Sequence, residues 1–190
     1  MTDTFNAEWR RRVEVKACGR ADVHDCIQRH YLHKWPGVNV SIFGAFIDGI
    51  NVGACVFSLP PRETSKRYGG TAWELSRLWL SDSLPRNAET WFVSRCIRVI
   101  RRTRPDIAFL VSYADPSAGH QGIIYRAGNW RFDGMTDEGR KTPRCDYFWN
   151  GRKYSRKGHI PAGAEGVTRV PRVSKFRYVY AMGNRKPSST

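Results

Sequence analysis

An unbroken apolar run, Ile107-Ala108-Phe109-Leu110-Val111, leads directly into the polar junction Ser112-Tyr113-Ala114-Asp115-Pro116. A continuous apolar segment of strand length, without alternation, is the pattern of a strand covered on both faces, as inner strands of α/β sheets are. Ligands of such sheets bind beyond the carboxyl ends of the strands, which makes this junction the first place to look for chemistry. Ser112, Tyr113 and Asp115 are expected at that strand end, with a short helix opening after Pro116. Asp115 equally suits a local role, because Asp before Pro at a helix start is a common N-cap.

The elements around this unit alternate. Residues 22–31 read as a capped helix, and 42–47 and 51–57 as apolar strands joined at Asp48-Gly49, a hairpin signal. Residues 58–70 are expected to be a loop, and 73–80 (WELSRLWL) a strand that brings Glu74, Ser76 or Arg77 to a polar face. From 87 to 102 the apolar residues recur at helical spacing, with Trp91, Cys96, Ile97 and Ile100 near one face and Arg95, Arg98, Arg101 and Arg102 as a solvated stripe. A Gly- and Pro-containing segment beyond Gly151 leads to a last strand at 177–181, and 185–190 are a loose end. The fold class is α/β in the α+β sense: a mixed, mostly antiparallel central sheet flanked by helices. At 190 residues one core suffices, so a single domain is expected over 1–190. The five cysteines are widely spaced with no Cys-x-x-Cys pair, which reads as free, mostly buried thiols. There is no long apolar run and no secretory leader, so a soluble, cytoplasmic protein without a membrane partner is expected.

Charge adds a second constraint. The chain carries 32 Lys and Arg against 17 Asp and Glu, a net charge of +15. Residues 140–190 alone hold 13 basic and 2 acidic side chains, interleaved with Tyr147, Phe148, Trp149, Tyr154, Phe176, Tyr178 and Tyr180. Cations interspersed with aromatic rings suit a polyanion whose phosphates pair with Arg and Lys while its bases meet ring faces. That segment is expected to complete the sheet and to contact double-stranded DNA through Arg152, Lys153, Arg156, Lys157, Arg172 and Lys175, with Arg126 and Arg131 beside it. A basic surface that serves only solubility is the plainer alternative.

Residues 38–135 resemble the GNAT acetyltransferase superfamily: a hairpin, a central strand at 73–80, a long helix, a strand, and a helix carrying Tyr125 ahead of Gly128-Asn129-Trp130. A narrower resemblance is to the Mom family of phage DNA-modification proteins. It is carried by His30-Tyr31-Leu32-His33-Lys34-Trp35-Pro36, by Leu75-Ser76-Arg77-Leu78, by Tyr113-Ala114-Asp115 with Tyr125-Arg126-Ala127-Gly128-Asn129-Trp130, and by RVSKFRYVY at 172–180. The resemblance implies a phage-borne enzyme that places a carbamoylmethyl-type group on adenine N6 in double-stranded DNA and shields that DNA from restriction. A conventional N-acetyltransferase acting on a small-molecule or protein amine, and a non-catalytic DNA-binding protein on the same scaffold, are the alternatives.

The chain departs from the acyl-CoA pattern where a glycine-rich loop would cradle the pyrophosphate. Ser81-Asp82-Ser83-Leu84-Pro85-Arg86-Asn87 has no glycine and includes a proline without an amide hydrogen. An acyl-CoA-type donor therefore stays open, and Arg86, Asn87 and His120 are the residues that would have to hold its phosphates. The catalytic candidates are Asp115 as proton acceptor or orienting group, and Tyr125 as proton donor or stacking ring. Arg77 would serve as an anion clamp, His30 and Tyr31 as acid–base groups, and Ser112 as a hydrogen-bonding neighbour. His30 and His33 are candidate metal ligands if the first helix reaches that far. A homodimer is an open possibility.

Overall fold

The computed structural model describes residues 8–183, so the expected loose end at 185–190 lies outside the described residues. Seven strands form the central sheet: β1 (Val13–Ala17), β2 (Asn39–Ile47), β3 (Ile50–Ser58), β4 (Ala72–Leu80), β5 (Phe109–Ala114), β6 (Arg131–Met135) and β10 (Phe176–Ala181). Their order across the sheet is β1-β2-β3-β4-β5-β10-β6. Every neighbouring pair is antiparallel except β4 and β5, so the mixed, mostly antiparallel sheet flanked by helices is what forms. The strands β7 (Cys145–Trp149), β8 (Arg152–Tyr154) and β9 (Thr168–Pro171) build a separate small sheet, in the order β8-β7-β9.

Besides the helical residues 8–12, the helices that accompany the sheets are α1 (His24–Arg29), α2 (Arg62–Arg67), α3 (Ala88–Thr103) and α4 (Ile123–Ala127). Helix α3 buries Phe92, Val93, Cys96, Ile97 and Ile100 against one sheet face, where they meet Phe43, Phe57, Trp73, Leu75 and Leu110. Its arginines Arg95, Arg98, Arg101 and Arg102 are exposed or nearly so, as an amphipathic surface helix requires. The opposite face packs Val23, Cys26 and Ile27 of the α1 region against Ala54 and Val56. All five cysteines are free thiols, and all but the half-buried Cys18 are buried.

Several sequence expectations need correction. The helix expected over 22–31 is a turn of 3-10 helix followed by α1, which stops at Arg29 and leaves His30 extended. The expected loop at 58–70 contains α2, which buries no residue and carries no apolar periodicity to betray it. Strand β5 starts and ends later than the apolar run, so Ser112 and Tyr113 lie within it. Strands β1, β6, β7, β8 and β9 have no counterpart among the expected elements. They are short and, β7 apart, bury at most one residue each, and their signal is too weak to separate them from loops.

Two irregularities open the middle of the main sheet. The β4–β5 ladder ends at Leu75↔Ser112, although β4 continues to Leu80 and β5 to Ala114. On the other side of β4 the register passes from Phe57↔Leu75 to Val56↔Arg77, a bulge at Ser76. One extra residue reverses the alternation of a strand. Trp73 and Leu75 accordingly enter the main core before the bulge, and Leu78 and Leu80 after it. Arg77 is thereby turned to the face that Glu74 occupies. The gap between the diverging strands and the redirected arginine define the place where a ligand can enter the sheet.

Candidate active site

A cavity of ≈ 400 Å³ occupies this gap, lined by His30 and Tyr31 from one side of the sheet, by Leu75, Ser76 and Arg77 of β4, by Tyr113 of β5, and by His120, Gly122 and Tyr125 from the segment entering α4. The candidates Arg77, His30, Tyr31, His120 and Tyr125 thus meet in one site, although they come from three separate segments. Ser112 stands directly behind the cavity wall. Its Oγ lies 2.8 Å from the Leu75 carbonyl, at the point where β4 and β5 diverge, and 2.8 Å from the Tyr125 hydroxyl. A serine hydroxyl has one proton and a carbonyl can only accept, so with Ser112 donating to Leu75 the Tyr125 hydroxyl supplies the second bond. Burial pushes the Tyr125 phenol up to about 12, so it stays protonated at neutral pH.

Arg77 is 7 % exposed. Its Nε donates to the Lys34 carbonyl at 2.8 Å and its Nη1 to the Ser76 carbonyl at 2.6 Å, and no carboxylate among the described residues pairs with it. His30 is equally buried and accepts the Leu32 amide on Nδ1 at 3.1 Å. Burial, with the Arg77 and His120 charges, lowers its pKa to about 4, so the ring is neutral. The Tyr31 ring lies 4.5 Å from that of His30 and 4.8 Å from that of His120, between centroids.

His33 has φ +48 and engages the Gln28 carbonyl through Nδ1, so it does not share a helix face with His30. Among the described residues no group of three His, Cys, Asp or Glu side chains converges on one point.

Asp115 does what a cap does: its carboxylate accepts from the Ser117 amide at 3.0 Å and from the Ser117 hydroxyl, and pairs with Lys175 Nζ at 2.8 Å. Burial alone would raise its pKa, but the Lys175 and Ser117 hydrogen bonds outweigh it and hold the carboxyl below its ordinary value. A carboxylate so committed is a weak proton acceptor and a good anchor for the turn that carries His120.

The carboxylate that the sequence candidates leave out of the site is Glu74. It faces a second cavity, ≈ 370 Å³, lined with Tyr113, Thr64, Arg140, Arg144, Arg172, Lys175 and Arg177. Tyr113 lines both cavities, so the two adjoin at the divergence of the strands. The Glu74 carboxylate makes no hydrogen bond or ion pair with the described residues, and burial pushes it up to about 7 against the opposing pull of Arg77 and Lys175. The available signal is a lone acid inside an otherwise apolar strand sequence, Trp73-Glu74-Leu75, next to the strand that ends in the polar junction.

Arg86 and Asn87 line a third cavity, ≈ 280 Å³, at the start of α3. The fold implies a CoA pyrophosphate there, and the residues present do not fit one. The amides of Ser81, Ser83, Leu84 and Ala88 are spent on Val52, Ser81 and Pro85 oxygens, and the carboxylates of Asp82 and Glu89 line the same space beside the single cation Arg86. A dianion needs an excess of positive charge, and two carboxylates against one cation leave the lining net negative.

The expected DNA-facing cations divide into two sets. Lys153 and Arg172 both pair with Asp146, at 2.7 and 2.6 Å, and Arg131 pairs with Asp133 at 3.4 Å, as Lys175 does with Asp115. These hold the small sheet and the strand ends in place. Arg126, Arg152, Arg156 and Lys157 are exposed and have no carboxylate within ion-pair distance among the described residues.

Comparison with solved structures identifies the architecture. An IAA acetyltransferase from Bacillus cereus ATCC 14579 superposes with TM-score 0.55 at 11 % identity, covering 89 % of this chain and 99 % of that one. The ribosomal-protein-S18-alanine N-acetyltransferase from Escherichia coli gives TM-score 0.56 at 8 % identity over 94 % and 99 %. The fold is that of the GNAT acetyltransferases. Within that class the chain belongs to the Mom protein family, whose sequence profile matches residues 12–188. The protein "Methylcarbamoylase mom" of Escherichia phage Mu is 41 % identical over 61 residues, a stretch that makes up 32 % of this chain and 25 % of that relative.

Proposed function

We propose that this protein is a phage DNA-modification transferase that places a carbamoylmethyl-type group on the exocyclic N6 of adenine in double-stranded DNA and so protects that DNA from restriction. The observation that carries the reading is the pairing of Glu74, a half-buried carboxylate without a partner among the described residues, with an adjoining cavity that holds the unpaired Arg77. A proton acceptor on one side of the strand divergence and an anion-seeking donor pocket on the other are what group transfer to an amine needs. A protein that only binds DNA has no use for either.

The chemistry follows from these positions. The N6 nitrogen bonds to the electrophilic carbon of an activated donor carrying the carbamoylmethyl group, and the bond from that carbon to its leaving group breaks with its electron pair. The nitrogen loses its proton to Glu74, whose carboxyl near neutrality matches the task of a general base. Tyr125, protonated at all working pH values, gives its proton to the departing group and releases Ser112. Asp115 is a positioning residue that fixes Lys175 and the turn bearing His120. An adenine inside a duplex has to leave the stack to reach this depth, and the aromatic walls Tyr113, Tyr31 and Tyr125 suit an extruded base.

Mass spectrometry of nucleosides from plasmid recovered from expressing cells tests the proposal. Wild type is expected to yield a heavier deoxyadenosine whose mass names the transferred group. Unmodified DNA from cells that hold soluble, folded protein, with and without phage infection, would sink it. Charge reversal of Arg152, Arg156 and Lys157 is expected to weaken duplex binding and to flatten the log K against log salt plot, by roughly 0.9 for each phosphate no longer neutralised. An unchanged slope would remove the small sheet from the DNA interface.

A further inference from the structure

Arg77 presents an accounting problem. A guanidinium carries five N–H groups, and two are satisfied here, by the Lys34 and Ser76 carbonyls. The others meet no acceptor among the described residues, yet the side chain is only 7 % exposed. Keeping an unpaired cation at such depth costs several kcal/mol as a rule, and the fold has not neutralised it with a neighbouring acid. Glu74, a carboxylate on the same strand face, makes no ion pair with it. Asp82 and Glu89 line the far end of the same cavity, where it meets the loop before α3. Arg77 Nη2 is not an enclosed orphan either: the one fully buried side-chain nitrogen or oxygen without a partner among the described residues is Trp9 Nε1. Its free N–H groups therefore open into the cavity.

His30 supplies a second donor by elimination. Its Nδ1 takes the Leu32 amide at 3.1 Å, so this nitrogen carries no hydrogen, and a neutral imidazole then bears its hydrogen on Nε2. Nothing among the described residues accepts from that Nε2. The Tyr31 hydroxyl in the same cavity makes no hydrogen bond to the described residues, and burial raises its pKa, which keeps the proton on it. One side of the cavity thus offers three kinds of donor and no carboxylate.

We propose that Arg77, His30 and Tyr31 form a subsite for a carbonyl-type oxygen, carboxamide or carboxylate, of the group that is transferred. A planar fork bearing a single charge, with two neutral donors beside it, matches one or two oxygens on a planar carbon. A phosphate dianion would bring more charge than the subsite balances and would face Asp82 and Glu89 along the cavity. A phosphate of the DNA backbone fits less well for the same reason, and Arg77 is only 7 % exposed. His30 serves as an uncharged donor here, neither base nor metal ligand. The subsite rests on the transferase reading only in assigning the oxygen to the transferred group; the donor geometry stands without it.

The test uses the full chain labelled with 15N at histidine and arginine. His30 is expected to show a protonated Nε2 and a bare Nδ1 from pH 5 to 8. Millimolar acetate and acetamide, added as separate probes, are expected to shift the His30 Nε2 and Arg77 Nη signals, and inorganic phosphate at the same concentration is not. Arg77→Gln should weaken acetate binding at least about tenfold, the value of a lost charge-assisted hydrogen bond. His30→Gln, which keeps an N–H donor, should retain the response of Arg77 that His30→Leu loses, with both variants checked for native spectral dispersion. A hydrogen on His30 Nδ1, silence towards both carbonyl probes, or tighter binding of phosphate than of acetate would each overturn the assignment. Wild type that binds the probes here and leaves DNA unmodified would keep the subsite and sink the DNA reading instead.

Discussion

Glu74→Gln is expected to lower DNA modification by about 10²–10⁴-fold, the usual contribution of a positioned general base, with duplex affinity unchanged. In wild type the rate should rise with pH through about 7, where the Glu74 carboxyl loses its proton, and the residual activity of the glutamine variant should lack that limb. The stability of the fold should respond in the opposite sense. Glu74 has a folded pKa of about 7, above the 4.5 of a free glutamate, so the folded state holds its proton more tightly than the unfolded chain does. Folding is therefore favoured by this group below about pH 4.5, and that advantage is lost as pH rises through 7. An uncharged glutamine escapes the loss, so Glu74→Gln should melt higher than wild type at pH 8 and the difference should shrink as pH falls. Thermal melts across pH 5 to 8 measure this directly. Equal melting curves at both ends, together with normal activity, would remove Glu74 from the mechanism.

Gly122→Ala is expected to cost ~3 kcal/mol and to lower Tm by about 10 °C, by adding backbone strain to overpacking. Gly122 has φ +72, and a Cβ there would stand within 2.3 Å of the Tyr178 ring, a core side chain that is 3 % exposed. The ring cannot yield, because Tyr125 packs on it at 5.2 Å and Phe132 at 5.8 Å, and its hydroxyl is fixed on the Gln121 carbonyl at 3.1 Å. Relief has to come from the segment that bears His120 and Tyr125, so the cavity is distorted along with the stability. Gly119→Ala supplies the control. Its φ is +76, but nothing lies within 4 Å of the added methyl, so strain alone applies, about 1 kcal/mol. If calorimetry gives the two variants the same Tm, packing against Tyr178 is not what demands glycine at 122.

The parts of this architecture that announce themselves in the sequence are those whose signal is local. The hairpin at Asp48-Gly49, the amphipathic α3 and the apolar run of β5 each carry their own periodicity or turn chemistry. The small sheet does not, since β8 and β9 are three and four residues long and none of their positions is buried. Arg77 can be singled out by type, but not by direction. Only the bulge at Ser76 decides that it faces away from Leu75, and a bulge is written in the pairing of two strands, not in either one. Asp115 shows the converse: its local signal as a cap before Pro116 is correct, and the same commitment to Ser117 and Lys175 disqualifies it as a free base. Glu74 is legible as a polar-face residue and no more, because its chemistry depends on what is missing around it. A sequence gives neighbours along the chain and cannot show the lack of a partner in space.

The position of β10 has a consequence for the timing of synthesis. It is the last strand of the sheet to be made, yet it is laid between β5 and β6, and it pairs with β5 from Phe176↔Ala114 to Ala181↔Phe109. Until it arrives, the nascent chain has neither Lys175 to hold Asp115 nor Tyr178 to back the Gly122 turn. β5 meanwhile shows an open apolar edge that invites chaperones or a wrong partner. A ribosome-bound chain therefore holds the cavity-lining side chains from His30 to Tyr125 before the strand that backs them has been made.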